Sequence, residues 1–308
     1  MEKRILGNTG LETTVLCYGC AAAYARELIT DQKAIELFTK AYNNGISFFD
    51  TGHSYGKAEE RIGKALRYNS SIKRDNIVIS TKCGSRISEK GRIYHCVSVD
   101  WLKESVELSL KRMNLDYIDI LYIHGPHTKD LYDDKMLSFL SDLKSQHVIR
   151  ATGANTFQLD NMKIIARDHT FDVVMLDYNI IRQDREPIIK DLYDKGIGVI
   201  AGQAMGEGVF LNDLYKVRSK KDLWYIARTL GRKASRDLFF EGFKYRFVNH
   251  LDNLDGAQVA LKYVLDNKYV SSATFGTVSI EHLEKNIDAL NVNIPDEIIS
   301  RIKSTIVR

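Results

Sequence analysis

Short apolar runs rich in branched residues recur along the chain, each followed by a stretch with helical spacing. The runs cover residues 14–19, 46–50, 77–82, 118–124, 148–153, 173–177, 199–202 and 271–275. Within them apolar and polar positions do not alternate, the pattern of strands covered on both faces of a parallel sheet. After the first run, Ala34, Leu37, Phe38 and Ala41 fall at i, i+3, i+4 and i+7, the stripe of an amphipathic helix over residues 32–44. Asp31 and Glu36 flank its start, and Asn43-Asn44-Gly45 supplies a glycine stop. Eight such strands with helical crossovers and no break in composition predict one closed (β/α)8 TIM barrel, a single domain over residues 1–308. An open doubly wound sheet would place a glycine-rich turn after its first strand, and Gly19-Cys20-Ala21-Ala22-Ala23 has no G-x-G-x-x-G.

Two stretches break the rhythm. LGNTGLET at residues 6–13, with Asn8 and Gly10, reads as an N-terminal hairpin across the bottom of the barrel. The interval 206–254 far exceeds the usual two-to-six-residue connection of α/β units, so it predicts a long helical insertion after strand seven. Helical patterns stand at 221–230 and 236–247. On the top face of a barrel this insertion would cover the site or hold a cofactor.

Composition changes little. With 44% apolar and 27% charged residues and a net charge of +4, nothing argues for a nucleic-acid partner. No run approaches the roughly 18 apolar residues of a membrane span, and MEKRILGNTG lacks the apolar core of a signal peptide, so a cytoplasmic protein is expected. Cys17 and Cys20 form a C-x-x-C, but Cys83 and Cys96 supply no second close pair. Buried strand cysteines are therefore expected and no metal.

The ends of successive strands carry residues that a core would not choose: Asp50 and Tyr55 after strand two, Lys82 on strand three, His124 on strand four. Singly, an Asp caps, a Lys points to water and a His is structural. Around one barrel mouth, however, a lone Lys or Asp would be costly, so the four are expected to converge. A phenol, with a pKa about 10, is a usable proton donor to an alkoxide. A nearby ammonium favours the phenolate, and a carboxylate holds the ammonium. His124 could donate a hydrogen bond to a carbonyl oxygen. Such a set moves protons and supplies no electrons, which points to a hydride donor of the nicotinamide type.

GISFFDTGHSYGKAEERIGKAL at 45–66, STK at 80–82 and DILYIH at 119–124 resemble the signature blocks of the aldo-keto reductase superfamily. GANTF at 153–157, YNII at 178–181, GVIAGQAMGEG at 198–208 and FGTVSIEHLEKNIDAL at 275–290 extend the resemblance over nearly the whole chain. It implies Tyr55 as general acid and base, Lys82 and Asp50 tuning it, and His124 orienting the carbonyl. It also implies a cofactor site of Asp50, Ala154, Asn155, Met175, Gly202, Gln203, Met205, Gly206, Gly276, Thr277, His282 and Asn286. Several of these depart from the family: Ala154 replaces a serine, Met175 a glutamine, Gly202 a stacking aromatic and Gln203 a serine. Tyr24, His124 and His127 are expected to meet substrate, with loop 86–96 and the region of Trp224 around them.

NADP(H) is favoured over NAD(H), with Lys285 the obvious cation of the last block. Ten Lys and Arg against three acids between Lys216 and Arg246 make either a face toward a phosphate of cofactor or substrate or a solvated basic helix face. The resemblance thus implies hydride transfer between NAD(P)H and an aldehyde, ketone or sugar. The alternatives are a sugar or polyol dehydrogenase working oxidatively and a nicotinamide-binding regulatory subunit. Oligomeric state is not readable.

Overall fold

A computed structural model of the chain describes residues 1–90, 92–211, 233–251 and 254–305, with Leu223, Ala227 and Gly231. An antiparallel hairpin, β1 (Lys3–Ile5) and β2 (Glu12–Thr14), precedes the barrel. The barrel strands are β3 (Leu16–Gly19), β4 (Phe48–Asp50), β5 (Val78–Cys83), β8 (Ile118–His124), β9 (Ile149–Asn155), β10 (Val173–Asp177), β11 (Gly198–Gly202) and β12 (Ser272–Phe275). They pair in parallel in that order, and β12 closes on β3 through Phe275 and Tyr18. Around them lie α1 (Asp31–Asn43), α2 (Ala58–Tyr68), α3 (Val99–Met113), α4 (Asp134–Ser145), α5 (Leu159–Asp168), α6 (Glu186–Asp194) and later helices. This is the predicted (β/α)8 barrel, with strand limits within two residues of those read from the pattern.

The hairpin plugs the bottom. Leu6 and Leu11 are buried among Phe48, Val78, Ile120, Val173 and Ile200 inside the barrel. Gly7 makes this possible: its φ is +53°, and a Cβ there would run into Gly196 O and Gly198 N. Tyr122 and Met175 fill the upper interior, and Gly153 leaves room for the Tyr122 ring, which any side chain there would strike.

Two features differ from the pattern-based reading. A short antiparallel ribbon, β6 (Ser85–Ile87) and β7 (Ile93–His95), stands between β5 and α3. The helix predicted over 236–247 is instead the helix Lys233–Gly242 followed by a 3-10 segment, Phe243–His250. Of the predicted helix 221–230 only Leu223 and Ala227 are described, both helical; Trp224 and the cations at 216, 218, 220, 221, 228 and 232 lie outside the described residues. No helix among the described residues is long and apolar enough to cross a membrane.

Candidate active site

The register of β4 and β5 sets Asp50 beside Ser80, and so next to the strand that carries Lys82. Lys82 Nζ donates to both carboxylate oxygens of Asp50 at 2.7 and 2.6 Å and to Thr51 O at 2.6 Å. Ser80 Oγ donates a further bond to Asp50 Oδ1 at 2.7 Å. Beyond β4 the chain keeps its place on the sheet through Thr51 N to Ser80 O and His53 N to Lys82 O. A turn closed by Tyr55 N on Gly52 O then brings Tyr55 back over the lysine. Lys82 Nζ lies 4.9 Å from the Tyr55 ring centroid. The His124 ring meets Tyr55 edge-on, with centroids 5.7 Å apart and planes at 83°. All four predicted catalytic residues are therefore together.

Their charges are set by opposing effects. Burial works against the Lys82 ammonium, but Asp50 and Tyr55 outweigh it and its pKa is raised, so it stays a cation. His124 goes the other way. Burial, then the charges of Lys82 and His95, bring its pKa down to about 4. Its Nδ1 is 3.5 Å from Ser85 Oγ. With Ser85 donating there, Nε2 carries the proton and is a neutral donor. The arrangement is a phenol between a fixed cation and a neutral hydrogen-bond donor, suited to moving a proton onto or off an oxygen.

A second layer, invisible as chemistry in the sequence, holds this set. Glu59 and Arg61 of α2 are each 1% exposed. Glu59 accepts from Thr81 Oγ1 at 2.7 Å, next to Lys82, and pairs with Arg112 of α3 at 3.1 Å. Arg112 also donates to His53 O at 3.1 Å. His53 packs edge-on against Trp101, and burial lowers its pKa. Arg61 donates to Tyr24 O, Arg26 O and Ile29 O and pairs with Asp31 at 2.9 Å, tying down the loop after β3. Lys64 and Arg61 together hold the Asp31 carboxyl at about 2. Only the alternation of charge and small residues in AEERIGKAL hinted at this: charges at the inward positions of a helix need partners.

The expected cofactor residues are placed less uniformly. Asn155 is buried at the mouth end of β9, its Nδ2 3.4 Å from Met175 O. Ala154 belongs to the shell between strands and helices, not to the barrel interior. Gly202 has the Met175 side chain against it: a Cβ there would sit 3.1 Å from Met175 Cγ. The thioether thus occupies the space beside the absent aromatic. Gln203 adopts a left-handed φ of +53° and donates to Glu207 at 3.1 Å. Met205 is half-buried and Gly206 buried in the turn that follows. Gly276 is exposed, and Thr277 O accepts from Tyr18 OH at 2.7 Å. Ser279 caps the helix Ile280–Asp288, which carries an exposed His282 and a buried Asn286.

Lys285 pairs with Glu281 at 3.1 Å. On the substrate side His127 is exposed at the rim, whereas Tyr24 is enclosed, 1% exposed and edge-on to Tyr18, so it lies in the core. Cys17 faces the barrel interior and Cys20 the outer core, both as free thiols raised by burial, and they share no site.

The profile of the Aldo/keto reductase family matches residues 15–307. The chain belongs to this family. An L-glyceraldehyde 3-phosphate reductase of Escherichia coli O157:H7 is 26% identical over 94% of this chain and 88% of its own. An uncharacterized oxidoreductase, YqkF, of Bacillus subtilis (strain 168) is 25% identical over 99% and 96%. The holo form of the aldo-keto reductase AKR11C1 from Bacillus halodurans superposes with a TM-score of 0.80 at 23% identity, over 100% of this chain and 97% of that one. Aldo-keto reductases are oxidoreductases that use nicotinamide cofactors. Gly206 and Gly276 add no side chains after β11 and β12, and the Asn155 amide stands at the end of β9, an arrangement that fits such a group.

Proposed function

We propose that this aldo-keto reductase reduces a small aldehyde, ketone or sugar carbonyl, with Tyr55 delivering the proton. Asn155, Gly202, Gly206 and Gly276 would hold a nicotinamide, which would supply the hydride. His124, neutral, donates to the carbonyl oxygen and orients it. Tyr55 gives its proton to that oxygen as negative charge develops there. Lys82 stabilises the phenolate left behind, and Asp50 keeps Lys82 in place. In the oxidative direction the phenolate takes the proton back, so a sugar or polyol dehydrogenase would use the same residues. The observation that carries this reading is the Lys82 ammonium, clamped by Asp50 at 2.6 Å and 4.9 Å from the Tyr55 ring.

A small polar substrate is supported by the exposed His127 and Tyr94 at the rim and by the Escherichia coli relative, an L-glyceraldehyde 3-phosphate reductase. We propose NADP(H) over NAD(H). With Lys285 already engaged by Glu281, that preference rests on the basic segment 216–246. Purified protein mixed with NADPH or NADH and a panel of short aldehydes, ketones and aldoses tests all three points by loss of cofactor absorbance. Turnover with a lower KM for NADPH is expected. Tight cofactor binding without turnover of any compound would favour the regulatory-subunit reading instead.

A further inference from the structure

Outside the catalytic set, the described residues bring together one further group with metal-ligand chemistry: His95, His127 and Asp130, whose ligand atoms all lie within 4.8 Å of one another. His95 ends the ribbon strand β7, while His127 and Asp130 bracket the start of the 3-10 turn Thr128–Tyr132 after β8. The two loops have no covalent reason to meet. Yet the His95 and His127 rings lie 4.1 Å apart, tilted by 40°, beside a carboxylate that is 2% exposed.

We propose that His95, His127 and Asp130 bind one divalent transition-metal ion, zinc by the character of the donors, tying the β6–β7 ribbon to the turn after β8 at the rim of the mouth. Two imidazoles and a carboxylate are a common ligand set for zinc and its neighbours, and they leave a position for water or a substrate oxygen. Three details of the site fit this occupant. His95 Nε2 is enclosed and 2.7 Å from Asp130 Oδ2 without the alignment of a hydrogen bond, and no other partner among the described residues takes it. His127 is exposed, which gives an incoming ion a route to the three ligand atoms. Asp130 Oδ2 is already oriented by the His127 N–H at 2.6 Å, the kind of outer contact that presets a ligating carboxylate.

Ligand atoms around a tetrahedral zinc stand about 3.3 Å apart. His95 and Asp130 are already 2.7 Å apart, so loading asks only the wider pairs, now within 4.8 Å, to close by at most about 1.5 Å. The ribbon can supply that movement, because Ile93 and Tyr94 beside His95 are exposed.

The position matters for the reaction. His95 faces Ser85 across the ribbon, and Ser85 reaches His124. The charge of His95 already acts on His124. A dication in its place would add positive potential beside the carbonyl-orienting residue. Metal binding itself does not depend on the reductase reading.

The test uses the full chain stripped with a chelator, then titrated with zinc against a chromogenic chelator, with melting temperature as a second readout. About one zinc per chain is expected, with a rise in melting temperature that grows with free zinc. His95→Gln, on the exposed ribbon, is expected to melt as the wild type does without zinc, to bind zinc at least about tenfold more weakly, and to lose the rise. Asp130→Asn, at a buried position, is expected to lose it as well. Equal zinc affinity in wild type and His95→Gln, or no rise in the wild type, would overturn the proposal.

Discussion

Lys82 holds its charge where burial opposes it, because Asp50 gives it both carboxylate oxygens. This is a residue-scale fact that the sequence could suggest but not establish. A lysine at a strand end usually reaches water; only its place among Asp50, Tyr55 and His124 argued otherwise. The same reading missed the neutrality of His124, since its causes are burial and two charges from other strands.

That neutrality has a consequence for stability. The folded value near 4 lies below the free imidazole value of 6.5, so the unfolded chain takes up the proton first. The penalty is absent above about pH 6.5 and grows as pH falls toward 4, by at most about 1.4 kcal/mol per unit. Urea unfolding at pH 7 and at pH 5 should show the wild type losing more stability than His124→Gln. Parallel losses would sink this assignment.

At the scale of elements, the strands and the bottom hairpin were legible because unbroken branched runs and the turn residues Asn8 and Gly10 follow rules local to the chain. The ribbon Ser85–Ile87 and Ile93–His95 was not, since three-residue strands leave no period. It carries His95, so the three-residue set with His127 and Asp130 was hidden too, and the expectation of no metal rested on cysteine spacing alone.

Helix α2 shows the other limit. Its Glu59 and Arg61 turn inward to hold β5 and the loop after β3, which a charged stretch of sequence does not reveal. Gly63 lets α2 approach α3, and a Cβ there would lie 2.5 Å from Arg112 O. Gly63→Ala is therefore expected to part the two helices, lowering stability by about 1–3 kcal/mol. Because Arg112 also steadies His53, kcat should fall as well. Thermal melts and steady-state rates check both; unchanged values would show the contact to be slack.

The whole molecule divides its labour between two faces. Leu6 and Leu11 close the bottom of the barrel, and Asp50, Tyr55, Lys82 and His124 gather at the top. Gly7→Ala, which forces both a left-handed alanine and a backbone clash, should lower the melting temperature while the folded fraction keeps its KM. A changed KM with unchanged melting would contradict that division. The gathering of the four proposed catalytic residues was readable because side-chain chemistry at strand ends is local information. The proposed cofactor side was less so: where Met175 comes to lie against Gly202 depends on the register of β10 and β11.

The central claim is that Tyr55 moves the proton while other residues hold the cofactor. Its most direct test is Tyr55→Phe, followed by single-turnover loss of NADPH absorbance and by fluorescence titration of NADPH. Loss of turnover by about 100-fold or more is expected, with the NADPH dissociation constant within about twofold of the wild type. Retained turnover would contradict it.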